Sequence, residues 1–149
     1  MFLKTHPHIC GRLAETICKT FTINRDALSC DVVIPVPLHP ARERERGFNQ
    51  SNLIAKTIAS RFDLLLDTSS LLRTKHTERH RAGMDQIDRA KSVERAFAVA
   101  RPRLMGKASV LVVDDVLTTG STISAVSDAL LEAGAERVVA MTIARVAEH

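Results

Sequence analysis

The 149 residues include no tryptophan and no tyrosine, and aromatic side chains make up only 3% of the chain. The core must therefore be built from Leu, Ile, Val and Ala. Stacking platforms for single-stranded nucleic acid are scarce, because those rely on aromatic faces. No apolar run approaches the roughly 18 residues of a membrane span. The opening stretch "MFLKTHPHICGRLAE" has no continuous apolar block of the kind a secretion signal needs, so the expected compartment is the cytoplasm. Cysteine is sparse and odd in number: Cys10, Cys18 and Cys30. No two of them stand at the short gap of a zinc knuckle, which leaves reduced, partly buried thiols as the expectation. Internal repeats, low-complexity tracts and linkers are also missing.

What is present suits one domain over residues 1–149 that folds by burial, since 45% of the residues are hydrophobic. The net charge of +4 is a mild basic excess. It fits an anionic small ligand or weak nucleic-acid contact.

Apolar residues at Ile9, Leu13, Ile17 and Phe21 recur at helical spacing, and Leu53, Ile54, Ile58 and Phe62 do so again within 50–62. "DVVIPVP" (31–37) reads as a buried strand running into a loop, and 38–50 as a charged loop. Residues 64–67 and 70–73 are strand candidates, as are Phe97 and Val99. Residues 74–91 are polar, basic and long for a connection, which predicts a flexible lid. "SVLVVDD" (109–115) is the clearest buried strand. Ile123, Val126 and Leu130 mark a helix that Gly134 can close, and 137–145 is a last strand. Strand, helix and strand over 109–145 form a βαβ unit. The expected architecture is α/β, with a mostly parallel sheet and helices on both faces.

The stretch "VLVVDDVLTTGST" (110–122) carries the chemistry. A buried strand is expected to end on Asp114 and Asp115, and in such sheets ligands sit beyond the carboxyl ends of strands. Thr118, Thr119, Gly120, Ser121 and Thr122 then link to the next helix. Their hydroxyls and N–H groups, with the positive end of the helix dipole, suit an anion. There is no glycine–lysine–hydroxyl ending of a Walker A loop, and one glycine is too few for a dinucleotide fingerprint. The loop is sized for a single phosphate. Paired carboxylates beside a phosphate repel it unless something lies between them. A ribose 5-phosphate does this, offering a diol to the acids and its phosphate to the helix. Mg²⁺ can bridge the diol and a pyrophosphate.

That stretch resembles the signature of type I phosphoribosyltransferases, which bind phosphoribosyl pyrophosphate (PRPP). The wider chain is similar to the competence-protein ComF family within that group, through "DVVIPVPLHPARERERGFNQSNLIA" (31–55), "RTKHT" (73–77) and "DRAKSVERAF" (88–97). Members usually begin with a four-cysteine zinc ribbon. These residues lack it, and the expectation is a ribbon lost or cut away. The resemblance implies that Asp114 and Asp115 form the catalytic pair, holding the ribose hydroxyls and touching Mg²⁺ only through the substrate. It implies that the segment Val116, Leu117, Thr118, Thr119, Gly120, Ser121 and Thr122 encloses the 5-phosphate. It also implies that the loop containing Pro37, Leu38 and His39 faces pyrophosphate. Arg46 and Lys75 are the cationic candidates there, while Arg42 and Arg44 read as a solvated face. His6, His8, His76 and His80 lack ligand spacing and read as surface residues.

Two functions compete. The favoured one is an enzyme, a Mg²⁺-dependent phosphoribosyl (pentosyl) transferase acting on an unknown acceptor. The alternative is a non-catalytic PRPP- or phosphate-binding module serving DNA uptake in natural competence. "RVVAMTIARVAEH" (137–149) has no aromatic to stack a base, which weighs against nucleobase transfer. Glutamine-dependent transfer needs a glutaminase, for which this chain has neither the length nor an N-terminal cysteine. A phosphate-binding receiver-like domain ranks last, since it needs a third acidic position and a strand-end lysine. A second copy of the chain and weakly held single-stranded DNA remain as partners. The DNA would lie along Arg73, Lys75, Arg79, Arg81, Arg89, Lys91, Arg101, Arg103 and Lys107 if these share one face.

Overall fold

The structure is a computed structural model, and it describes residue 9 and residues 11–74 and 96–146. The chain runs α1 (Gly11–Ile23), β1 (Val32–Pro35), α2 (Pro40–Arg46), α3 (Gln50–Phe62), β2 (Leu65–Leu66), β3 (Leu71–Arg73), β4 (Phe97–Val99), a short 3₁₀ turn (Pro102–Leu104), β5 (Ser109–Leu117), α4 (Ser121–Glu132) and β6 (Arg137–Arg145). Four strands form one sheet in the order β2-β1-β5-β6, and every pairing in it is parallel. β3 and β4 form a separate antiparallel pair.

A parallel sheet needs both faces covered, and its inner strands are apolar throughout for that reason. β1 is buried along its whole length, and Val110 to Val113 of β5 are fully enclosed. Alternate side chains go to opposite faces. Val33, Leu111 and Val113 pack under α1 and α3, against Ile17, Phe21, Ile54 and Ile58. Val32, Ile34, Val110 and Val112 pack against Val126 and Leu130 of α4 and against Leu71 and Phe97 of the antiparallel pair. Helices thus lie on both faces, as the pattern predicts. The rings of Phe21 and Phe62 join α1 to α3 with centroids 4.4 Å apart, a tilted contact that adds about 0.5–1.5 kcal/mol beyond burial.

α4 ends as expected. Gly134 takes φ 102°, its N–H donates to the Leu131 carbonyl, and the Ala135 N–H donates to the Leu130 carbonyl, the pair of hydrogen bonds of a Schellman turn. The amino ends of three strands are tied together. The Asp31 N–H donates to the Ser109 carbonyl, the Ser109 N–H donates to Asp31 Oδ2, and Arg137 donates to the carbonyls of Ala27 and Ser29. Cys18 and Cys30 are free, partly buried thiols. Burial, then the charge of Asp31, pushes the Cys30 thiol up.

Three expectations need correction. The segment 38–50 is not all loop, because Pro40–Arg46 is helical. His39 Nδ1 accepts the Ala41 N–H, Pro40 opens the first turn, and Gly47 closes the last at φ 79°. The strand predicted for 109–115 runs on to Leu117, so the aspartates are not its last residues. They end its pairing with β1, whose last partner is Val113, while pairing with β6 continues to Leu117. Ser121 and Thr122 lie inside α4, which leaves Thr118–Gly120 as the link. Lys75 and nearly all of the predicted lid fall outside the described residues, as do His6, His8, His76 and His80.

Candidate functional site

β1 stops pairing at Pro35, and β5 projects beyond it with Asp114 and Asp115 on the projecting part. Both acids are half-buried. Asp114 Oδ1 accepts the Ser51 hydroxyl at 2.9 Å and the Asp115 N–H at 2.9 Å. Asp115 Oδ1 accepts the Val116 N–H at 2.8 Å. Burial pushes the Asp114 carboxyl above the usual carboxylate range, and the neighbouring charge of Asp115 adds to this. The Ser51 hydroxyl and the Asp115 N–H work against the rise.

After Leu117 the chain turns through exposed Thr118 and Thr119 into Gly120, which takes φ 79° and begins α4. The Thr119 and Ser121 hydroxyls lie 2.9 Å apart. α2 and α3 start on side-chain caps, His39 and Asn49, whereas Gly120 supplies no side-chain acceptor to the first turn of α4. The Ser121 N–H donates to Thr119 Oγ1 in a long 3.4 Å contact, and the N–H groups of a helix start attract anions. Val116 is exposed and Leu117 half-buried beside this turn.

On the other flank, Pro37, Leu38 and His39 leave β1 half-buried. Arg73, at the end of β3, stacks its guanidinium over Phe97 at 5.3 Å, a cation–π contact. Burial, then the nearby Arg42 guanidinium, holds Arg73 below the usual arginine range, against the attraction of Asp114. Arg42 is half-buried and not part of a solvated face, while Arg46 is exposed. The structure thus gathers Asp114, Asp115, the Thr118–Gly120 turn with the start of α4, the 37–39 loop, Arg42 and Arg73 at the carboxyl end of β1 and β5. Arg42, Arg73, Asn49 and Ser51 stand close to these residues, and no local sequence pattern places them there.

A cleft of about 870 Å³ lies elsewhere, between α1 and α3, lined by residues such as Cys18, Lys19, Thr57 and Phe62. None of the sequence-predicted site residues touches it. Among the described residues no three His, Cys, Asp or Glu side chains converge on a metal position. Two carboxylates, each with Oδ1 already engaged, fit a Mg²⁺ shared with ligand oxygens and not one caged by protein.

The profile of the phosphoribosyl transferase domain matches residues 49–149. The chain belongs to that family. Competence protein F of Haemophilus influenzae is 34% identical over 116 residues, which is 77% of this chain and 50% of that protein. The DNA utilization protein YhgH of Escherichia coli O157:H7 is 33% identical over 115 residues, covering 77% and 49%. The chain therefore spans about half the length of these relatives. Among solved structures, the glutamine PRPP amidotransferase of B. subtilis superimposes with a TM-score of 0.56 at 21% identity, over 87% of this chain and 25% of that one. This likeness shows the fold, which is the type I phosphoribosyltransferase fold expected from the signature. Among the described residues no helix is long and apolar enough to cross a membrane.

Proposed function

We propose that this chain binds PRPP, or ribose 5-phosphate, at the carboxyl end of β1 and β5 and transfers the phosphoribosyl group to an acceptor nucleophile. The observation that carries this reading is the half-buried Asp114–Asp115 pair set one short turn before a helix start with no side-chain cap. Asp114 and Asp115 accept the ribose hydroxyls and form the catalytic pair. Thr118, Thr119, Gly120, Ser121 and Thr122 hold the 5-phosphate, with Val116 and Leu117 beside the sugar. Pro37, Leu38 and His39 face the pyrophosphate, where Arg42 and Arg73 join Arg46 and Lys75 as its cationic contacts. The reaction replaces the bond from the anomeric carbon to pyrophosphate with a bond to the acceptor. Such chemistry depends on positioning and charge stabilisation and needs no protein nucleophile. A Mg²⁺ bound together with the substrate near Asp114 and Asp115 would supply charge neutralisation for the leaving pyrophosphate.

Calorimetry with PRPP and ribose 5-phosphate, with and without Mg²⁺, tests the reading. Loss of a charged hydrogen-bond partner costs about 1.5–3 kcal/mol, so Asp115→Asn is expected to weaken binding roughly ten- to a hundredfold. Equal affinity in the wild type and the variant removes the assignment. Pyrophosphate release, assayed against a panel of bases and amines, separates a transferase from a binding module.

The names of the relatives favour a second reading, a PRPP-binding module acting in competence or DNA use. For DNA contact through one basic strip, the described cations give little support. Arg73 lies beside Asp114, while Lys107 donates its N–H to the Gly134 carbonyl at the opposite end of β5. Titration of labelled single-stranded DNA at two ionic strengths decides this, with steep salt dependence expected of any backbone contact.

A further inference from the structure

The segment that leads from α2 into the first turn of α3, "GFNQS" (47–51), buries two polar residues. Asn49 is 7% exposed and Ser51 is 4% exposed. Buried polar groups are kept only where they are hydrogen-bonded. Asn49 Oδ1 accepts the Ser51 N–H at 3.0 Å, which caps α3, and Asn49 Nδ2 donates to the Val36 carbonyl at 3.0 Å. The cap alone could be met by Ser, Thr or Asp, but the bond to Val36 requires the amide donor. The Val36 N–H in turn donates to the Val113 carbonyl at 2.9 Å. From the other side, the Ser51 hydroxyl donates to Asp114 Oδ1 at 2.9 Å. Val113 and Asp114 are neighbours in β5, so these bonds close a ring: Val113, Val36, Asn49, Ser51 and Asp114.

We propose that Ser51 is a positioning residue for Asp114, fixing its carboxylate for the ligand's hydroxyls, and that Asn49 sets Ser51 in place. The proposal rests on the phosphosugar reading above. An ionised carboxylate only accepts, and its two oxygens exchange places by a single side-chain rotation. The Ser51 hydroxyl, together with the Asp115 N–H, holds Oδ1 on the α3 side, which leaves Oδ2 as the oxygen for the ligand. A donor on the first turn of a helix is well suited to this, because the Asn49 cap fixes that turn and the loop after β1 together. Asn49 and Ser51 touch no ligand in this scheme and act through Asp114.

The test compares Ser51→Ala, Ser51→Cys and Ser51→Thr with the wild type, measuring affinity for ribose 5-phosphate, PRPP and pyrophosphate alone, and thermal unfolding. Alanine is expected to lower ribose 5-phosphate and PRPP affinity about tenfold while pyrophosphate affinity stays within about twofold. Cysteine fills the space but donates weakly, so it should behave like alanine. Threonine keeps the hydroxyl and should recover most of the loss. If cysteine binds ribose 5-phosphate as the wild type does, Ser51 is only packing and the proposal fails. It also fails if alanine binds normally, or if alanine loses pyrophosphate to the same extent as ribose 5-phosphate. A wild type that binds neither ribose 5-phosphate nor PRPP overturns the phosphosugar reading itself, and this proposal with it.

Discussion

The chain leaves β1 through Val36–His39 and leaves β5 through Thr118–Gly120, and the two exits are held in different ways. The first is tied to distant parts of the molecule. Val36 is 4% exposed, its N–H goes to β5, and its carbonyl takes a donor from Asn49. The second exit is local. Thr118 and Thr119 are exposed, and the side-chain contact between Thr119 and Ser121 spans two residues. One exit is shaped by folding before any ligand arrives. The other keeps exposed hydroxyls and helix N–H groups, the ones assigned to the phosphate in the proposed function. The same kind of substitution should therefore show up as lost stability at the first exit and as lost affinity at the second.

The largest effect is expected at Asn49. Asn49→Ala removes a cap and strands the buried Val36 carbonyl, together costing about 2–4 kcal/mol. Urea unfolding measures this, and a loss below about 1 kcal/mol would mean that the first exit is no better anchored than the second. Next comes Gly120→Ala. Its new Cβ meets nothing closer than Leu117 Cδ1 at 3.9 Å, so the cost is the left-handed backbone alone, about 1–2 kcal/mol. Phosphate affinity should fall with it, as read by calorimetry. Smallest for stability is Thr119→Val, expected to stay within about 0.5 kcal/mol of the wild type. Its affinity for ribose 5-phosphate should still drop roughly three- to tenfold. A Thr119→Val protein that is destabilised but binds normally would reverse the contrast.

The contrast also explains what the sequence makes legible. Residues 118–122 are contiguous, so their hydroxyls, glycine and preceding acids can be read from one line of letters. The helices over 50–62 and 121–132 and the strands at 109 and 137 announce themselves by period and by β-branched content. The roles of Asn49 and Ser51 arise from bonds across 13 and 63 residues, which no local pattern records. α2 was hidden for another reason. "PARERER" has no apolar stripe, and none of its residues is buried. Its signal is at its ends, proline in the first turn and glycine just past the last. Arg42 looks like any charge in an alternating run until β3 brings Arg73 beside it.

The order of the sheet has a consequence for how the chain finds its shape. β5 pairs with β6 across a short helical crossover, but with β1 across most of the chain, as the 78-residue span from Asp31 to Ser109 shows. Closing so long a loop is entropically costly and slow beside local closures. The β5–α4–β6 segment is thus the expected early nucleus, with β1 docking afterwards. Val36 reaches Val113, and Ser51 reaches Asp114, only in that late step. The acidic pair would then exist as sequence and strand before it exists as a site, and the arrangement of its carboxylates would be among the last features acquired in refolding.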